Sequence, residues 1–279
     1  MPDQASPLRN LVLRETSAGA PAPRSRLIVA AGGKSGVGVT TLAVNLAVAF
    51  AQQGLRAVLI DADLQRPAAA VLCGCSLSPG LGEVLASRRD IHEVLQRGPA
   101  GIQLIAGIAA ADARSQCTPK SQQRLLRQLH SLSKHVDVVV VDAGSTPTDL
   151  ARQLWATADD VLLVTAPDPV AVMDSYAAVK TMFTPAPAAP RLRLVVNQAH
   201  DDPQATDVFR RIDQSCQRFL EVRLQLDAAL PTDEQTQPAA RDGVPILLLS
   251  PHSPLSQSID QLADALAATE DAPPRRRAA

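Results

Sequence analysis

The segment Gly33-Lys34-Ser35-Gly36-Val37-Gly38-Val39-Thr40-Thr41 restricts this chain more than any other stretch. An apolar run, Leu27-Ile28-Val29-Ala30-Ala31, precedes it, and residues with helical periodicity follow. A glycine-rich turn between a strand and a helix lets successive backbone N–H groups point inward at phosphate oxygens. The helix N-terminus adds its partial positive charge. Strand, loop and helix occur here in the order such a motif requires. Thr40 stands where a hydroxyl would hold Mg²⁺. The ordinary loop ends Gly-Lys-[Ser/Thr], its lysine reaching the β and γ phosphates; here Gly38-Val39-Thr40 occupies those places, and valine carries no charge. Lys34, near the start of the loop, is either a solvated loop residue or a phosphate contact, within the subunit or across a dimer.

After the loop, Leu42, Ala43, Leu46, Ala47 and Phe50 recur at spacings of three and four. This predicts a helix from about Thr40 to Gln53 with one face on a sheet and Asn45 off that face. Further apolar runs predict strands at 57–60, 102–105, 136–141, 161–164 and 192–196, with a weaker one at 222–226. Near-continuous apolar strands separated by helices imply an α/β fold: a mostly parallel sheet with helices on both faces. Neither an internal repeat nor a second domain is evident. Aromatic residues are only 2% of a chain that is 46% hydrophobic, so the core must be built from Val, Leu, Ile and Ala.

Asp61 and Asp63 follow the 57–60 strand, at the carboxyl end where open α/β sheets bind ligands. Their spacing of two in extended backbone turns both carboxylates the same way. One would order a Mg²⁺-bound water and the other an attacking water. Asp142 ends the valine-rich strand and is the second metal-side candidate. Each of the three could instead cap a helix. Asn197 follows Leu194-Val195-Val196 at the same sheet edge; its amide suits an adenine edge or its own turn.

The formal net charge of −1 gives no electrostatic case for nucleic acid. Cysteines at 73, 75, 117 and 216 follow no metal-ligand or disulfide spacing. There is neither an apolar run of bilayer-spanning length nor a signal peptide, so a reduced, cytoplasmic compartment is expected. Residues 1–12 form a short amphipathic segment with Leu8, Leu11 and Val12, and 13–26 form an Ala/Pro/Ser-rich linker. The domain is expected to span 27–269, followed by a disordered tail at 270–279. Near its end, Ile259, Leu262, Ala263 and Leu266 make an amphipathic stripe that packs on the domain or touches a membrane. Without an aromatic anchor or a lysine, the membrane alternative is the weaker.

The glycine loop with Asp61-Ala62-Asp63 and Asp142-Ala143-Gly144 resembles the MinD/ParA superfamily with its deviant phosphate loop, and most of all the flagellar regulators FlhG, YlxH and FleN. Val164-Thr165-Ala166-Pro167-Asp168-Pro169, Val195-Val196-Asn197-Gln198 and Pro231-Thr232-Asp233 extend the resemblance through most of the chain. It implies ATP or ADP with Mg²⁺ as ligands, held by residues 33–41, Asn197 and Pro231. Asp63 would orient hydrolytic water, Thr40, Asp61 and Asp142 would serve the metal, and Lys34 would contact the nucleotide of the opposing subunit in a homodimer. Asp3-Gln4-Ala5-Ser6-Pro7-Leu8-Arg9 resembles the activator motif with which this family stimulates the GTPase FlhF, carrying that role to Gln4. Val39 and Ser35 depart from the family's lysine and glycine, so weak or absent ATP hydrolysis is expected.

The chemistry implied is thus that of a regulatory switch of flagellum number or placement. A pseudo-ATPase scaffold and a ParA-like partitioning protein are the alternatives. A tyrosine kinase, suggested by Asp61-Ala62-Asp63-Leu64-Gln65-Arg66-Pro67, lacks its acceptor tail: the chain has one tyrosine, Tyr176.

Overall fold

A computed structural model of the chain describes residues 25–108, 115–132, 135–185 and 189–268. Gln4, the linker up to residue 24 and the tail at 270–279 lie outside the described residues. Eight strands form one sheet in the order β3-β4-β2-β5-β1-β6-β7-β8. They are β1 (Arg26–Gly32), β2 (Ala57–Asp61), β3 (Gln96–Arg97), β4 (Gln103–Ile105), β5 (Val138–Asp142), β6 (Asp160–Thr165), β7 (Arg191–Ala199) and β8 (Gln225–Pro231). Every pairing is parallel except β3 with β4.

The helices are α1 (Val39–Gln52), α2 (Ala69–Leu72), α3 (Leu81–Leu85), α4 (Pro119–Leu132), α5 (Asp149–Thr157), α6 (Pro169–Met182), α7 (Asp202–Leu220), α8 (Thr236–Asp242), α9 (Ile246–Leu249) and α10 (Pro254–Ala267). They cover both faces. One core joins α1 and α10 to residues such as Ile28, Leu59, Val140 and Leu162; the other joins α4 to α7 with Val29, Val58, Val139 and Val161. Successive strand residues alternate between these two cores, as the period of two demands. With both faces covered, the strands are apolar throughout.

The amphipathic stripe near the C-terminus packs on the domain: Ile259, Leu262, Ala263 and Leu266 are all buried in α10. No described helix is long and apolar enough to cross a membrane. The four cysteines are free thiols, and burial pushes Cys73 up to about 12.

Asn45 lies off the apolar stripe and is nonetheless buried, because α1 is enclosed nearly all round. Its Nδ2 donates to the Thr41 carbonyl at 2.8 Å and its Oδ1 accepts from Leu247 N–H at 3.0 Å, joining α1 to α9. The last strand runs 225–231 rather than 222–226. Val222 and Leu224 are buried but precede the ladder, which begins where Gln225 pairs with Arg193. Finally, β1 starts at Arg26, and Ser25 and Arg26 are buried in the fold rather than in a linker.

Arg26 belongs to a buried ion cluster at the amino ends of the central strands. Asp160 accepts from Arg26 Nε at 2.7 Å, Arg191 Nε at 2.9 Å and Arg193 Nε at 2.6 Å. Arg193 also forks onto Asp227. Burial would raise the Asp160 carboxyl, but its hydrogen bonds and the charges of the three arginines outweigh it and hold the group below its usual value. This cluster lies at the sheet end opposite the glycine loop.

Candidate functional site

The carboxyl ends of β1, β2 and β5 meet in one place. β1 runs into the glycine loop, which turns into α1. Gly36 and Gly38 have φ of +88° and +95°, the left-handed region that favours glycine. Gly38 is also the N-cap of α1 and provides no side-chain cap. The first turn of this helix therefore depends on an outside acceptor for its free N–H groups. That is the donor set an anion requires.

Asp61 and Asp142 are register partners at the ends of β2 and β5, and both are buried. Asp61 Oδ2 accepts from Ala69 N–H at 2.9 Å and Oδ1 from Asp63 N–H at 3.2 Å. Asp142 Oδ1 accepts from Gly144 N–H at 3.0 Å; its Oδ2 is buried without a hydrogen-bond partner among the described residues. Burial drives the Asp61 carboxyl up to about 8, with the Asp142 charge adding to it. Burial likewise lifts Asp142 to about 6, moderated by the nearby Thr40 hydroxyl and by Gly144 N–H. A carboxylate pair this close in a dry site favours a shared proton or a cation.

Asp63 sits beside this pair. Its Oδ1 accepts from Gln65 N–H at 2.8 Å and Arg66 N–H at 3.0 Å, so it pins the turn after β2. Gly144, with φ +67°, lies so near that a Cβ there would overlap the Asp63 carboxylate. Asp61, Asp63, Asp142 and Thr40 thus lie together beside the glycine loop; for the three aspartates, capping and ligand roles were the alternatives. Asp61 and Asp63 do accept backbone N–H groups, and the unpartnered Asp142 oxygen is what a capping role leaves over. No group of three or more His, Cys, Asp or Glu able to hold a metal occurs among the described residues.

Three loop residues have specific surroundings. Val39 is buried among core residues, and a Cβ on Gly32 would lie 2.9 Å from its Cγ2. The side chain thus points into the core. Lys34 Nζ pairs with Asp168 Oδ1 at 3.0 Å; Asp168 is also the N-cap of α6, accepting from Val170 and Ala171 N–H. Ser35 Oγ accepts from Arg66 Nη1 at 2.8 Å. Neither the Asp168 partner nor the Arg66 contact was foreseen, and separations of 134 and 31 residues leave no local signature.

Asn197 closes the other side of the loop. Its Nδ2 donates to the Val37 carbonyl at 2.8 Å, and its Oδ1 accepts from Gln198 N–H at 2.9 Å. The amide thus satisfies its own turn and braces the loop at once. It lines a cavity of about 340 Å³ with Gly38, Thr41, Pro231, Asp233 and Thr236. Asp233 contributes a buried Oδ2 with no hydrogen-bond partner among the described residues. The cavity therefore adjoins the glycine loop through Gly36 and Gly38.

A family model described as an AAA domain matches residues 25–182. The antiactivator FleN of Pseudomonas aeruginosa is 31% identical over 216 residues, which cover 77% of each chain. The flagellum site-determining protein YlxH of Helicobacter pylori is 23% identical over 243 residues, covering 87% of this chain and 82% of that one. Among solved structures, the septum site-determining protein MinD of Pyrococcus horikoshii, complexed with Mg-ADP, superposes with a TM-score of 0.74 at 19% identity. The match covers 88% of this chain and 96% of that one. The chain belongs to the AAA-domain family, in its MinD/ParA group of P-loop proteins, and is similar to FleN and YlxH.

Proposed function

We propose that this protein is a cytoplasmic nucleotide-binding switch that regulates the number or placement of flagella. The observation that carries the nucleotide half is the buried, unpartnered Asp142 Oδ2, beside Thr40 and the uncapped N-terminus of α1. The residues present fit a nucleotide with Mg²⁺. Backbone N–H groups of residues 36–41 would receive phosphate, Thr40 and Asp142 would serve the metal, and the cavity beside Asn197 and Pro231 would take the base and ribose. The bound cation would supply charge neutralisation between the phosphates and the carboxylate pair. Asp63 stands where an attacking water would be oriented. Val39 withholds the usual phosphate-directed lysine, so turnover is slow or absent.

The flagellar half rests on similarity to FleN and YlxH and on the N-terminal motif. By that resemblance Gln4 acts on an FlhF-type GTPase, and Lys34 reaches across a nucleotide-dependent homodimer. Lys34 would have to leave Asp168 to do so.

Titration calorimetry of the full chain with ATP and ADP in Mg²⁺ tests the first half. Micromolar binding is expected; no heat at millimolar nucleotide would leave only a pseudo-ATPase scaffold, the reading that Val39 in the core favours. For the second half, a peptide of residues 1–12 is expected to accelerate GTP hydrolysis by an FlhF-type GTPase, and Gln4→Ala to abolish the effect. An inert wild-type peptide would rule that role out.

A further inference from the structure

The loop lacks a lysine at Val39, and the cation nearest its start, Lys34, is engaged by Asp168. The carboxylates of Asp61, Asp63 and Asp142 crowd the same sheet edge. A polyphosphate entering here would meet more negative charge than one divalent ion offsets. A further cation is required, and Arg66 is in position to supply it.

We propose that Arg66 provides the phosphate-directed positive charge that Val39 does not, with Ser35 as its positioning residue. The proposal rests on the nucleotide-binding reading of the site. Arg66 enters from the turn after Asp63, whose Oδ1 fixes the backbone by accepting from both Gln65 and Arg66 N–H. From there its Nη1 donates to Ser35 Oγ at 2.8 Å, across 31 residues of sequence. The contact holds a guanidinium at the rim of the glycine loop. Only one of its five N–H donors is used in that bond. Among the described residues no carboxylate forms a salt bridge with it.

Ser35 and Arg66 are both exposed, so the pair costs little desolvation and gives little stability. A guanidinium, planar and forked, matches phosphate oxygens with two parallel donors. The Ser35 hydroxyl keeps that fork within reach of the loop whose N–H groups would bind the same phosphates. Two departures from the family's loop are then linked. Val39 removes a charge from below, and Ser35 recruits one from the side.

The test uses the full-length protein in Mg²⁺ buffer, with ATP, ADP and adenosine titrated into wild type, Arg66→Gln, Arg66→Lys and Ser35→Ala. Arg66→Gln is expected to weaken ATP by about tenfold or more, the scale of a charge-assisted hydrogen bond. It should leave adenosine binding and the melting temperature unchanged. Arg66→Lys is expected to retain most of the affinity. Ser35→Ala should lose a smaller share and add nothing further in the Arg66→Gln background. Equal ATP affinity in wild type and Arg66→Gln would overturn the role of Arg66 while sparing the nucleotide reading. No nucleotide binding by wild type would overturn both.

Discussion

Asp61 and Asp142 face each other as register partners across β2 and β5, two buried carboxylates at the mouth of one glycine loop. Burial holds both above the ordinary carboxylate value, and Asp142 pushes Asp61 further. The folded protein therefore retains protons that the unfolded chain releases above about pH 4. The sign follows: with more protons bound in the folded state, stability falls as pH rises from there toward about 8. Asp142→Asn keeps the Oδ1 acceptor for Gly144 N–H and removes the charge. In Mg²⁺-free buffer its melting temperature is expected to exceed wild type at about pH 8 and to lose that advantage in acid. Parallel pH profiles for the two proteins would contradict this account. The same variant should gain less stability than wild type from Mg²⁺ with nucleotide.

Asn45 ties α1 to α9 from inside the core. Asn45→Leu leaves the buried Leu247 N–H without its acceptor, a loss of about 1–3 kcal/mol. Urea denaturation should show a lowered midpoint with the slope preserved. An unchanged midpoint would mean that another acceptor takes over.

Asp160 accepts from three arginines at the opposite end of the sheet. Asp160→Ala strands Arg26 and Arg193, both buried, without their shared carboxylate. Breaking a buried charge cluster on one side costs about 3–5 kcal/mol. The variant should unfold at markedly lower denaturant, and where it remains folded its nucleotide affinity should match wild type.

Val39 sits in the core against β1, so a lysine there must turn out of the core toward the loop. Val39→Lys is expected to lose roughly 1–3 kcal/mol of stability and to gain ATP affinity and phosphate release. If neither rises, the missing lysine is not the limiting defect.

The sheet was legible because its strands are enclosed on both faces and read as unbroken apolar runs; Val138 to Val141 is the clearest case. The site was legible where backbone geometry dictates residue type, as at Gly36, Gly38 and the strand-end aspartates. Legibility failed where a polar residue is satisfied by something distant in sequence. Asn45 could be placed off the apolar stripe but its partner Leu247 lies 202 residues away, and the partner of Arg66, Ser35, is 31 residues away. β8 was misplaced because Asp227 interrupts its apolar pattern, and only the pairing with Arg193 makes that charge tolerable. Asp168 stood within a recognised segment, but its hold on Lys34 is a tertiary fact.

β1 carries the two ends of this molecule's behaviour on one short rod. Arg26 anchors its first residue in the ion cluster, and its last, Gly32, delivers the phosphate loop. Six residue steps of roughly 3.3 Å set about 20 Å between them. The chain thus enters the sheet at the strand end away from the glycine loop, so a load placed on Arg26 and one placed on the loop pull on opposite ends of the same central strand.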